Sequence, residues 1–247
     1  IKSLRRRKKI YKRPWFWIVL AVLILSGLIS YFILFSKKLE VAEIKVLGNE
    51  RIQSSDIEGF ITINSSNRLL LVNIGKLKNK ILSQFPGIET VTIKRNFPNN
   101  LIVTVKEREL FKTFCTNQNL DRCFTMDKNG IIFEPLEKVF KNDFAIIKES
   151  NEAVLGKKMV DNKVIDMISR IESDLKNNFQ IGIKEVIVSN TLIVKTSEGW
   201  LIYFNPVQDF DLQIAKMNIL LKDEISLEER KNLQYIYLQY QDRAYYR

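Results

Sequence analysis

Residues 85–109 read FPGIETVTIKRNFPNNLIVTVKERE, and this run decides the fold. Pro86-Gly87 stops whatever precedes it. Ile88, Val91 and Ile93 then supply the apolar positions of a strand over Ile88–Arg95. Phe97-Pro98-Asn99-Asn100 carries turn chemistry, and Leu101–Lys106 returns as an antiparallel partner, so the run predicts a β-hairpin. Upstream, Asn73–Phe85 places Ile74, Leu77, Ile81, Leu82 and Phe85 at helical spacing. Further back, Ser54-Ser55-Asp56 offers N-cap chemistry to a short helix through Ile57, Phe60 and Ile61. Val41–Leu47 is a strand that closes on Gly48-Asn49. The order is strand–helix–helix–strand–strand within about 70 residues, a common size for a small domain.

Before this unit lies WFWIVLAVLILSGLISYFILF, Trp15–Phe35, without a single charge. A helix of that length spans roughly 30 Å, the thickness of a bilayer's hydrocarbon core. Aromatic residues stand at both ends, where rings favour the membrane interface. A cleaved signal peptide would have a shorter apolar region and a small-residue cleavage pattern, whereas Phe35 is followed by Ser36-Lys37-Lys38. The stretch reads as an uncleaved anchor. Residues 1–14 hold eight Lys or Arg and no acid, which places the tail in the cytoplasm and everything after Phe35 outside. Contact of Arg5–Lys9 with anionic lipid accounts for the run better than a nucleic-acid patch.

The whole chain carries 39 basic and 28 acidic residues. Without the tail's eight, 31 basic residues face 28 acidic ones, so the net charge of +11 belongs mostly to the tail. There is no His, which removes the commonest general base, the commonest zinc ligand and every His-dependent triad. Cys115 and Cys123 are too few for a structural zinc site. Their spacing leaves two readings open: a disulfide across a hairpin, or two reduced, packed thiols.

The second half alternates short strands with two helices. Phe111–Phe114 and Cys123–Met126 flank a polar loop, and Asp127-Lys128-Asn129-Gly130 turns the chain into Ile131–Glu134. Asp127 and Asn129 lack the other ligands of a calcium loop, so the segment is a turn. A helix over Asp161–Lys176 puts Val164, Ile165, Ile168, Ile171 and Leu175 on one face. Strands follow at Ile183–Val188, Leu192–Thr196 and Trp200–Phe204, then an amphipathic helix over Val207–Glu224. Leu233–Tyr240 and Ala244–Arg247 complete the β structure. Three fragments imitate a penicillin-binding enzyme: Ser173 with Lys176, Ser65-Ser66-Asn67, and Lys195-Thr196-Ser197. The second precedes the first and the third lacks its Gly, so they are chance matches and no active site is expected.

Taken together, VAEIKVLGN (41–49) and the run at 85–109 resemble the POTRA domain of the FtsQ/DivIB bacterial cell-division family. Phe85, Pro86, Val91, Arg95, Phe97, Pro98, Leu101, Val103, Val105, Glu107 and Arg108 occupy the family's pattern, while Glu109-Leu110 stands where a proline is usual. TMDKNGIIFEP (125–135) is similar to a hairpin of its second domain, and YIYLQYQDRAYYR (235–247) to its closing segment. Tyr237 and Gln239 depart from the usual acid and Arg there.

The resemblance implies an α+β protein: a cytoplasmic tail (1–14), a transmembrane helix (15–35), a POTRA domain (39–109), and a β-rich domain with two helices (110–247). It implies a non-enzymatic scaffold of the division septum, without cofactor or metal. The scaffold would link early and late division proteins and bind the FtsB/DivIC–FtsL coiled-coil pair. The alternatives are a POTRA-bearing accessory of secretion or envelope assembly and, less favoured, a wall-modifying enzyme. For partner binding the terminal segment offers Tyr235, Tyr237, Tyr240, Arg243, Tyr245, Tyr246 and Arg247. Alternation predicts Ile236, Leu238 and Tyr240 facing inward, with Tyr235, Tyr237 and Gln239 outward.

Overall fold

The computed structural model describes residues 14–35, 37–117, 120–136, 144–148, 152–240 and 243–247. The basic tail lies outside the described residues apart from Pro14. The chain forms two compact units, Ile1–Ile81 with Thr90–Lys106, and Leu82–Glu89 with Glu107–Arg247.

In the first unit, α1 (Pro14–Phe35) contains a membrane-length window at Pro14–Tyr31 with mean hydropathy 1.9, none of it covered by protein. A bare apolar surface of this length fits a membrane span. A short 3-10 turn leads to β1 (Glu43–Leu47), followed by α2 (Ser54–Asn64), α3 (Ile74–Gln84) and the hairpin β2 (Ile88–Asn96) and β3 (Asn100–Glu107). The strands are ordered β1-β3-β2, with β1 parallel to β3 from Glu43↔Asn100 to Leu47↔Thr104. Ile57 and Ile61 of α2, Leu77 and Ile81 of α3, and Val91, Leu101 and Val103 of the strands are all buried. Gly48 ends β1 at φ +81, and a Cβ there would lie 2.3 Å from the Val105 carbonyl oxygen, so the turn needs glycine.

Two helix starts differ in detail from the sequence reading. Gln53, not a serine, is the N-cap of α2 and makes no side-chain cap bond; Ser54 is already helical and Asp56 faces the dipole from the first turn. Asn73 lies before α3 rather than in it. Its Oδ1 accepts the Lys76 N–H at 3.0 Å, a cap that fixes where the helix begins.

Among the described residues the second unit is built on nine strands: β4 (Lys112–Cys115), β5 (Cys123–Met126), β6 (Ile132–Leu136), β7 (Ala145–Ile147), β8 (Ile183–Val188), β9 (Leu192–Thr196), β10 (Leu201–Phe204), β11 (Tyr235–Tyr237) and β12 (Tyr245–Tyr246). Their order is β12-β11-β10-β9-β8-β7-β4-β5-β6. Strand side chains alternate between two faces. One face, with Phe114, Phe124, Val186, Val194, Ile202 and Ile236, packs on α4 (Asn162–Phe179) through Ile165, Ile168, Ile171 and Leu175. The other holds a smaller cluster of Cys115, Cys123, Ala145 and Ile147. Cys115 stands directly opposite Cys123, and the two are joined by a disulfide with a Cα–Cα separation of 4.1 Å. The Thr116 N–H bonds the Arg122 carbonyl, so the cysteines occupy a non-hydrogen-bonded pair, where strands approach most closely.

The helix expected over Val207–Glu224 starts later. Asp209 accepts the Leu212 N–H and caps α5 (Phe210–Ile219), which leaves Val207 in an exposed turn. A π turn over Leu220–Glu224 then keeps Met217, Leu221 and Ile225 in the core. A further single turn, α6 (Leu227–Arg230), carries a capping box between Ser226 and Glu229. The Glu229 carboxyl is held below its ordinary range, first by the Ser226 backbone N–H and then by the Ser226 hydroxyl.

Asp127 serves a structural purpose. Its Oδ1 accepts the N–H groups of Asn129 and Ile131 at 2.9 Å each, closing the turn, and its Oδ2 lies 2.6 Å from Arg108 Nη1. Arg108 also donates through Nε to the Pro86 carbonyl at 3.0 Å, and its backbone N–H bonds Gly87 O. One guanidinium therefore joins the Pro86-Gly87 stop to the 127–130 turn within this unit.

Candidate partner-binding edge

The terminal segment forms the β12 end of the nine-stranded sheet. Parallel pairing sets Leu201, Ile202 and Tyr203 of β10 beside Tyr235, Ile236 and Tyr237 of β11. Antiparallel pairing sets Ile236 beside Tyr246 and Tyr237 beside Tyr245. Cross-strand neighbours share a face. Ile202 and Ile236 are accordingly buried in the helix-covered core, while Tyr203, Tyr237 and Tyr245 form a row on the opposite face.

Ring contacts run along that row. The Tyr203 and Tyr237 centroids are 4.4 Å apart, Tyr235 and Tyr237 4.7 Å, and Tyr240 and Tyr245 5.5 Å in edge contact. The Tyr203 hydroxyl is pushed above the ordinary tyrosine range, first by burial and then by the charge and hydrogen bond of Tyr237. It is therefore neutral at physiological pH and acts as a hydrogen-bonding group.

The inward set differs from the alternation. Ile236 and Leu238 are fully buried, but Tyr240 is 49% exposed. The regular strand ends at Tyr237, so alternation no longer governs the side chain three residues later. Lys216 Nζ of α5 instead holds the Tyr240 carbonyl at 2.8 Å. Beside it, Gln208, Asp209, Leu212, Gln213, Lys216 and Tyr240 line a shallow recess of about 210 Å³. Arg243 and Arg247 are exposed, as are Tyr245 (47%) and Tyr246 (46%), so the structure gathers the seven residues singled out at one sheet margin. Tyr203 is the addition that sequence reading missed. Its outward position in LIYF was legible; its pairing with Tyr237 was not, because the parallel β10–β11 pair joins strands some 30 residues apart.

The register also assigns the backbone. Arg247 N–H bonds Tyr235 O at 3.2 Å and Tyr235 N–H bonds Arg247 O at 3.3 Å, so these residues form a hydrogen-bonded pair. Such pairs alternate with open ones along an antiparallel ladder. Tyr245 consequently faces β11 with both backbone groups, and Tyr246 turns its N–H and C=O to the open side, ready to accept another strand.

Ser173 is exposed on α4, where its Oγ accepts from Asn177, and no grouping of three or more metal-ligating side chains occurs among the described residues.

Residues 39–108 match the family described as the POTRA domain, FtsQ-type. The chain is 28% identical over 159 residues to the cell division protein DivIB of Clostridium acetobutylicum, a match covering 62% of this chain and 61% of that protein. It is 28% identical over 239 residues to DivIB of Clostridium botulinum strain Hall, covering 91% of this chain and 87% of that one. The cell division protein FtsQ of Agrobacterium fabrum is 30% identical over 109 residues, 43% of this chain and 32% of that one. An apolar N-terminal helix, a POTRA unit and a β-rich unit define the class: a POTRA-bearing protein whose one described membrane-length helix fits a single-pass anchor. Within that class the chain belongs to the FtsQ/DivIB family of bacterial cell division proteins.

Proposed function

We propose that this chain is a non-enzymatic scaffold of the division septum, anchored in the cytoplasmic membrane. Its basic tail is cytoplasmic and its two folded units are extracytoplasmic. At the β12 edge it captures the FtsB/DivIC–FtsL coiled-coil pair by accepting an extended segment of that partner. The Cys115–Cys123 bridge supports the orientation, because disulfides persist in oxidising compartments.

The observation that carries the binding reading is the open backbone of Tyr246, bordered by exposed Tyr240, Tyr245, Arg243 and Arg247. Main-chain bonds across such an edge supply affinity, and flanking aromatic and Arg side chains supply selectivity.

Deletion of Arg243–Arg247 should abolish binding of the coiled-coil pair while the chain still unfolds cooperatively. Tyr246→Pro is the finer test, since it removes the outward N–H and leaves the bonds to β11 in place; it should weaken binding at least tenfold. Undiminished affinity in both variants moves the partner to another surface. A reporter active only outside the cytoplasm, fused after Arg247, tests the orientation: activity is expected there, and its absence there with activity at the N-terminus reverses it.

A further inference from the structure

We infer that the tip of the β2–β3 hairpin, Phe97-Pro98, together with Leu71, forms a second contact with the bilayer and holds the POTRA unit against the membrane surface. The inference rests on α1 being the membrane anchor, and it holds whichever side of the membrane the unit occupies.

Topology points the tip at the lipid. β1 is the first strand after the anchor, so its start is the end tethered nearest the membrane. β3 is parallel to β1, and the start of β3 therefore lies at the same end as the start of β1. That start is the hairpin tip, whose Asn99 carbonyl accepts the Ala42 N–H at 2.9 Å. Ala42 comes seven residues after Phe35, and three of the residues between them form a 3-10 turn. At about 2.0 Å per turn residue and about 3.3 Å for the others, Ala42 lies no more than roughly 20 Å from the hydrocarbon boundary, with Asn99 of the hairpin turn one hydrogen bond away. The headgroup layer itself fills about 5–7 Å of that distance.

The side chains at this end suit an interface. Phe97 is 60% exposed, although a hairpin turn has no need of an aromatic ring in water. Leu71 is 55% exposed, and the turn that carries it is held beside the tip of the same hairpin by Arg95, two residues before Phe97, which donates to Leu69 O at 2.9 Å and Val72 O at 2.7 Å. Lys38 is exposed between anchor and β1, where a cation meets lipid headgroups. Two apolar side chains alone are too little to recruit a free protein to a membrane. Here the anchor already supplies the encounter, so a weak contact competes at a high effective concentration and is populated. The aromatic-proline pair of the family pattern thereby gains a role beyond closing the turn.

The test uses the full chain in vesicles whose acyl chains are brominated near the headgroup, with Trp15→Phe and Trp17→Phe removing the anchor's own fluorescence. Trp200, 1% exposed, remains as an unquenched reference. Phe97→Trp should emit at shorter wavelength and be quenched at least threefold more than Leu47→Trp, a reporter at the far end of β1. Leu71→Asp in the Phe97→Trp chain should reverse the blue shift. Equal quenching at positions 47 and 97, or quenching at 97 only once a partner protein is added, overturns the inference. Flotation of the same vesicles reads the anchor separately: a chain that fails to float refutes membrane insertion, whereas one that floats with an unquenched Trp at position 97 refutes the second contact alone.

Discussion

Arg108 is the residue whose loss the structure allows to be costed most directly. Its side chain and that of Asp127 are 11% and 5% exposed, and they meet at 2.6 Å. Arg108→Met keeps most of the aliphatic volume but strips the ion pair and the Nε bond to Pro86 O. Removing one partner of a buried pair costs about 3–5 kcal/mol, because the other charge is left desolvated. Asp127 keeps the two N–H bonds of Asn129 and Ile131, which still solvate one carboxylate oxygen. The lower end, about 3 kcal/mol, is therefore expected. In a domain of this size each kcal/mol lowers the melting temperature by about 2–4 °C, giving a shift of roughly 6–12 °C by near-ultraviolet circular dichroism of the purified chain in detergent. Arg108→Lys retains the charge and loses the fork geometry, so it should fall between the two. Asp127→Asn completes a double-mutant cycle with Arg108→Met, and its coupling energy should reach about 2 kcal/mol. Additivity within about 0.5 kcal/mol would refute the pairing as the source of stability.

Other sites give sharper signs than sizes. Without reductant, the unfolded chain should show no reactive thiol, and replacing Cys115 and Cys123 by Ser together should cost about 2.5 kcal/mol on the chain-entropy relation for a separation of 8 residues; two reactive thiols would exclude the bridge. Gly130→Ala should destabilise by about 2–4 kcal/mol in denaturant titration, since φ is +77 and the new Cβ would sit 2.0 Å from the Val160 carbonyl oxygen; a neutral outcome would show that the 127–130 turn relaxes freely. Thr113→Val should be neutral or stabilise by up to about 1 kcal/mol, because the Thr113 hydroxyl is fully buried and makes no hydrogen bond among the described residues; a loss of stability beyond that would reveal a bond to the hydroxyl.

The hairpin at 85–109 was legible because its apolar positions, its proline turn and its helix stop all demand the same structure. Long α4 was legible for the same reason, with Ile165, Ile168, Ile171 and Leu175 repeating on one side. β7 was not. Ala145–Ile147 is too short to show a period, and it is a strand because β4 and β8 each offer it a ladder. α6 left a readable sign, Ser226 followed three residues later by Glu229, but no apolar repeat to draw attention to it. At the β12 edge the residue types were visible in the sequence. Which backbone groups face outward was not, since that depends on the Tyr235–Arg247 pairing.

That short seventh strand has a kinetic consequence. β4–β5–β6 and β8–β9–β10 are meanders joined by local connections, and they zip without closing long loops. β7 lies parallel to both β4 and β8, so either pairing needs a crossover, and the two meanders fuse only when it docks. Until then Phe114 and Val186 stand at two unpaired margins of nascent sheet, each a template for another chain. Weakening β7, as in Ile146→Ala, should therefore raise aggregation during refolding well beyond what the loss of equilibrium stability accounts for. Three buried residues thus guard the yield of folded protein more than its final stability.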